Sequence, residues 1–161
     1  MAVLTSLLSC GAGLLGVASA PAGPVHPAAR VLRLTARETL TPVEMDVGDT
    51  LRFTLRSGRV RTLVLEGTSA EVGERYPGGT VLRFTCRVRV DGHPMLLERH
   101  LCTQESFYEP YVINGMRLWF DGVTDLFDHM SETHGACKPG RRARFAVNDA
   151  TDPICPLELK P

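Results

Sequence analysis

From Thr80 to Val90 the chain alternates without a break. Leu82, Phe84, Cys86, Val88 and Val90 fall on one side, and Arg83, Thr85, Arg87 and Arg89 on the other. Side chains of an extended strand point to opposite faces in turn, so this period of two predicts a strand with one buried face and one arginine-studded face. A 3.6-residue period would scatter the same apolar positions around a helix. The pattern recurs upstream, where Leu51, Phe53 and Leu55 oppose Arg52, Thr54 and Arg56. Ser57-Gly58 offers a turn and Val60 to Glu66 returns, which predicts a β-hairpin.

The remaining chain continues in this vein. Arg30 to Ala36 is a first candidate strand, and Glu71 to Gly79, with Gly73, Pro77 and Gly78, reads as a loop. Asp91-Gly92-His93-Pro94 turns the chain before Met95 to Cys102. Pro110 to Ile113 and Met116 to Phe120 flank Asn114-Gly115, a strong type I′ hairpin signal. The period then changes: Val123, Leu126, Phe127 and Met130 are spaced like one helix face, which predicts an amphipathic helix over Asp121 to His134 with Asp121 as N-cap and Gly135 as stop. A short strand, Arg144 to Val147, follows a basic loop. Strands without alternating helices predict a mainly β fold, an antiparallel sandwich or open barrel with one C-terminal amphipathic α-helix.

Residues 1–20 contain no charged side chain and end in Ala18-Ser19-Ala20, small residues of the kind signal peptidase accepts. They are expected to be a signal peptide cut near Ala20, with 21–29 a flexible linker and 30–161 a single β-rich, secreted or periplasmic domain. Lipoprotein processing at Cys10 is the alternative. Cys86, Cys102, Cys137 and Cys155 then remain, and an even count in an exported chain suggests two disulfides. Sequential pairing, Cys86–Cys102 and Cys137–Cys155, is the expectation. A four-thiolate zinc site would need knuckle spacings that are absent.

Net charge is zero but unevenly spread. Leu51 to Arg89 holds eight arginines against three acids, and Asp91 to Gly135 eight acids against two arginines. Arg52, Arg56, Arg83, Arg87 and Arg89 are all expected to point outward. Such a face could bind a polyanion such as an acidic cell-wall polymer, or could meet the acidic segment within the fold. Nucleic acid is not expected, since that face has no aromatic platform. Trp119, exposed beside Tyr108 or Tyr111, would suit sugar stacking; packed under a loop, it would not. Asp121, Asp125, Asp128 and Glu132 form an acidic stripe, a cation or docking face if not simply a solvated one. His129, Glu132 and His134 are the weak metal candidates, and no ordinary zinc-helix spacing unites them. No cofactor is implied.

The segments Tyr108 to Asp121, His134 to Pro139, Ala143 to Ala150 and Ile154-Cys155-Pro156 resemble a β-rich leader region of bacterial secreted proteins that precedes a lysostaphin-type zinc metallopeptidase domain. The peptidase motifs, His-x-x-x-Asp and His-x-His, do not occur, so the resemblance implies no catalytic residue. It implies an accessory or envelope-binding domain. Two further readings stand beside it: a small metal-dependent hydrolase using His129, Glu132 and His134, and a purely structural domain of a peptidase system.

Overall fold

The computed structural model describes residues 28–75, 79–102, 109–130 and 137–153. The expected signal peptide, most of the linker, Tyr108, Glu132, His134 and Cys155 lie outside the described residues. The chain is mainly β: β1 Val31–Thr35, β2 Thr41–Met45, β3 Thr50–Thr54, β4 Val60–Arg75, β5 Gly79–Val90, β6 His93–Cys102, β7 Tyr111–Ile113, β8 Met116–Val123 and β9 Ala143–Asp149. They form a five-stranded sheet, β1-β3-β4-β5-β6, and a four-stranded sheet, β2-β9-β8-β7, which do not close into a barrel. The apolar side of each strand meets the other sheet. Leu51, Phe53, Leu63, Leu65, Phe84, Cys86 and Val88 face Met45, Met116, Leu118, Phe120, Phe145 and Val147 across one core. Phe84 of the first sheet sits edge-on to Phe120 of the second at 5.0 Å, and Phe120 lies 5.6 Å from Phe145, so three rings bridge the layers.

Four expectations are corrected. The sandwich is not wholly antiparallel: β1 pairs parallel to β3, because β2 crosses to the other sheet between them. The β2 strand itself was not expected, since Pro42 breaks the sequence signal; it is tolerated because β2 is an edge strand paired only with β9. Residues 71–75 are not loop but the far end of β4, paired with 79–83 beyond a bulge at Leu65/Gly67. The amphipathic helix is replaced by a 3₁₀ turn, Thr124–His129. Asp121 and Val123 belong to β8 rather than to a cap, and Leu126, Phe127 and Met130 still reach the core from the turn. Residues 131–136 lie outside the described residues.

Polar clasps fix the two ends of the sandwich. At one end Asp49, 1% exposed, accepts the backbone N–H of Arg30 and of Asp46 at 2.8 Å and ion-pairs with the Arg30 guanidinium. Arg30 also donates to the carbonyl of Glu44, the penultimate residue of β2. At the other end the two tight turns have the left-handed residues of type I′ geometry: Asp91 (φ 48°) with Gly92 (85°), and Asn114 (51°) with Gly115 (87°). Arg61 joins them, donating to the Asn114 carbonyl at 2.8 Å and pairing with Asp91 at 3.1 Å, while the Asn114 amide also reaches Asp91. Beside them Arg117, 7% exposed, donates to the carbonyls of Ala150 and Asp152 and holds the turn after β9.

Burial alone would raise the Asp49 carboxyl, but the Arg30 guanidinium and the two N–H donors outweigh it and hold it below its ordinary value. A carboxylate depressed on folding contributes stability above its unfolded pKa of about 3.9, and that contribution disappears as pH falls through the lower folded value. Urea titrations should therefore show the midpoint steady at neutral pH and falling below about pH 4. Asp49→Asn should cost about 3 kcal/mol at pH 7 and flatten the acid limb of that profile; an unchanged midpoint would show that the clasp does not stabilise the fold.

Candidate functional site

The outer face of the five-stranded sheet carries the arginines. On β5 the buried face takes Phe84, Cys86, Val88 and Val90, so Arg83, Arg87 and Arg89 must point away from the core. On β3 the same alternation turns Arg52 outward between Leu51 and Phe53. The register adds Arg33, directly opposite Arg52 on β1 and also outward. No expectation from sequence included Arg33; its alternation with Leu32 and Leu34 was the available signal. Arg56 does not belong to this surface. It follows β3 and is tied to the far turn, its Nε 2.5 Å from Asp152 and its backbone N–H 2.8 Å from Asp149.

Charge on this face divides in two. Arg83 is paired with Glu98 at 2.6 Å and Glu71 at 3.0 Å, and Arg89 with Glu66 at 2.7 Å. The Glu98 carboxyl is held below its usual range by the His100 imidazole beside it and by Arg83. Arg33, Arg52 and Arg87 are exposed and have no acidic partner among the described residues. Arg87 is accommodated by Gly67, its neighbour across the sheet: a methyl at Gly67 would lie 2.6 Å from the guanidinium. On this face only Arg83, through Glu98, meets the acidic segment; Glu66 and Glu71 belong to the basic segment itself.

Two members of the acidic stripe, Asp121 and Asp125, are consumed inside the fold; Asp128 is exposed. Asp121 pairs with Arg144, and Asp125 with Arg142 at 3.0 Å and with the Thr68 hydroxyl at 2.7 Å. The Asp125 bonds anchor the 3₁₀ turn to β4 and to the residue preceding β9, the Asp121 pair ties β8 to β9, and both carboxylates are left little capacity for a docked partner. His129 lies 3.3 Å from the Ala70 carbonyl. Among the described residues no three His, Cys, Asp or Glu side chains group to hold a metal. Of the expected aromatic pairs, Trp119 with Tyr111 is not brought together, and Tyr108 lies outside the described residues. Leu118 faces the core and Tyr111 is its partner across β7 and β8, so Tyr111 turns inward while Trp119 turns outward on the opposite face. Tyr111 instead closes the outer edge of β6, where its hydroxyl donates to the Glu98 carbonyl and accepts the Glu98 N–H, both at 2.8 Å.

The expected disulfide Cys86–Cys102 is also corrected. Cys86 is a free thiol buried at the centre of β5, opposite Leu97. Cys102 is opposite Val81, five residues away along the strand and about 16 Å distant, where a disulfide tolerates about 7 Å. Burial drives the Cys86 thiol pKa far up, with Asp125 adding to it, so this thiol is inert. Cys137 is also free, and it is exposed. Alkylation of the native protein followed by peptide mass mapping should modify Cys137 and spare Cys86 until denaturant is added; rapid native labelling of Cys86 would contradict the burial.

No helix among the described residues is long and apolar enough to cross a membrane. No protein-family model matches the chain, and searches of curated proteins and of solved structures find no match either.

Proposed function

We propose that this chain is an exported, non-catalytic β-sandwich module that binds an acidic polymer of the cell envelope through the outer face of its five-stranded sheet. The observation that carries the reading is the trio Arg33, Arg52 and Arg87, exposed on one sheet face and without carboxylate partners among the described residues, next to Arg83 and Arg89, which are neutralised. Unpaired guanidiniums offer planar, bidentate donors to carboxylate or phosphate groups. A pleated, open face suits an extended polymer better than a small substrate. Export is supported by the apolar, uncharged leader 1–20. The likeness to envelope-associated leader regions points the same way.

Polygalacturonate, a linear uronate polymer, is a suitable probe. The protein should retard on it at low ionic strength and release as salt rises past about 0.5 M, where the Debye length has shrunk to about 4 Å and longer-range attraction is lost. Combined Arg33→Ala, Arg52→Ala and Arg87→Ala should weaken binding about tenfold or more, whereas Arg83→Ala with Arg89→Ala should have a smaller effect. Equal retention of the triple variant and the parent would remove the arginine face from consideration.

A further inference from the structure

A sandwich of two open sheets has four edges, and three of them are here either short or interrupted at one or more positions. The β6 edge is closed at Glu98 by the Tyr111 hydroxyl, which takes both the N–H and the carbonyl. The β2 edge carries Pro42, which has no N–H to offer, and the Glu44 carbonyl is taken by Arg30. The β7 edge is only three residues long. The β1 edge differs. Its sequence, VLRLT, has no proline, no glycine and no bulge against β3.

The parallel ladder decides which backbone groups of β1 have no partner among the described residues. The Arg30 carbonyl accepts Thr50 N–H, and Ala36 N–H donates to the Thr54 carbonyl. In a parallel pair alternate residues serve the partner strand, so Leu32 and Leu34 serve β3, and Val31, Arg33 and Thr35 turn their N–H and C=O groups away from it. The same three residues place their side chains on the outer face. At the centre, Arg33 stands directly across from Arg52, a like-charge pair with no carboxylate partner among the described residues. An open depression lined by Arg33, Thr35, Arg52, Thr54 and Val60 adjoins it, and Val31 is 56% exposed beside it.

We infer that β1 is a strand-addition site for an extended acidic peptide of a protein partner. The peptide would hydrogen-bond to Val31, Arg33 and Thr35 and set a carboxylate opposite Arg33 and Arg52. Free backbone groups supply affinity in this mode, and alternate side chains supply selectivity. A second copy of the chain is a poor occupant. Two-fold pairing of the full edge would set Arg33 against Arg33, with an Arg52 behind each, four guanidiniums in one row. The inference stands apart from the polymer reading, because it needs the backbone edge as well as the charge.

A blocked peptide of alternating threonine and glutamate serves as probe, with its threonine–lysine counterpart and a backbone N-methylated form of the acidic peptide as controls. The acidic peptide should bind and slow hydrogen exchange at the Val31, Arg33 and Thr35 amides. The lysine peptide should not bind, and N-methylation should weaken binding by about tenfold or more. Thr35→Pro removes one edge donor and no bond to β3, so it should weaken the peptide and leave polygalacturonate retention unchanged. Equal binding of the N-methylated peptide would overturn strand addition and leave charge as the whole attraction. Polymer binding without peptide binding would overturn this inference alone, and peptide binding without polymer binding would overturn the polymer reading alone. A dimer in sedimentation that Thr35→Pro dissociates would assign the edge to a second copy and overturn the acidic-peptide assignment.

Discussion

The Arg30–Asp49 ion pair is the constraint on which the architecture rests. It ties the segment entering β1, the end of β2 and the start of β3 to one buried carboxylate, and those three segments lie in two different sheets. A buried carboxylate is costly unless every oxygen has a donor. Asp49 meets that condition with a guanidinium and two backbone N–H groups, so its position is defined within narrow limits. Through it the layers are held in one relative alignment at the end where β1 begins. Arg61, bridging the Asp91 and Asn114 turns, does the same at the opposite end.

The strands with one wet face could be read from the chain. Leu82 to Val90 declares its buried side residue by residue, and the hairpin turns at Ser57-Gly58, Asp91-Gly92 and Asn114-Gly115 carry their own chemistry. What could not be read depends on distant partners. β2 is extended because β9 offers it an edge, and Pro42 conceals that locally. Residues 71–75 look like loop because glycines and a proline surround the tip, yet the long β4–β5 ladder carries pairing into them. The helical spacing from Val123 to Met130 marked real core contacts, but β8 supplies the first and a 3₁₀ turn the rest. Apolar spacing states which residues must be buried; the backbone that buries them was chosen by β4 and β9.

The candidate surface was legible in the same uneven way. Arg52 and Arg87 point outward as alternation requires. Whether each is free or neutralised rests on ion pairs spanning about a dozen to almost a hundred residues, such as Arg83 with Glu71 and Arg56 with Asp152. Arg33 joins the surface only through the parallel register with Arg52. Cysteine count misled because parity says nothing of register: one thiol of the expected pair is packed as an apolar side chain in the core.

The parallel placement of β1 has a consequence for the order in which the molecule comes together and apart. No hairpin delivers this strand. Its berth exists only once β3 has formed and Asp49 is in place to receive Arg30. Such non-local pairing forms slowly, and an outermost short strand held by one neighbour opens most readily in local unfolding. Detachment of β1 would uncover the flank of β3, so the sheet would still present a vacant seat, now one strand further in.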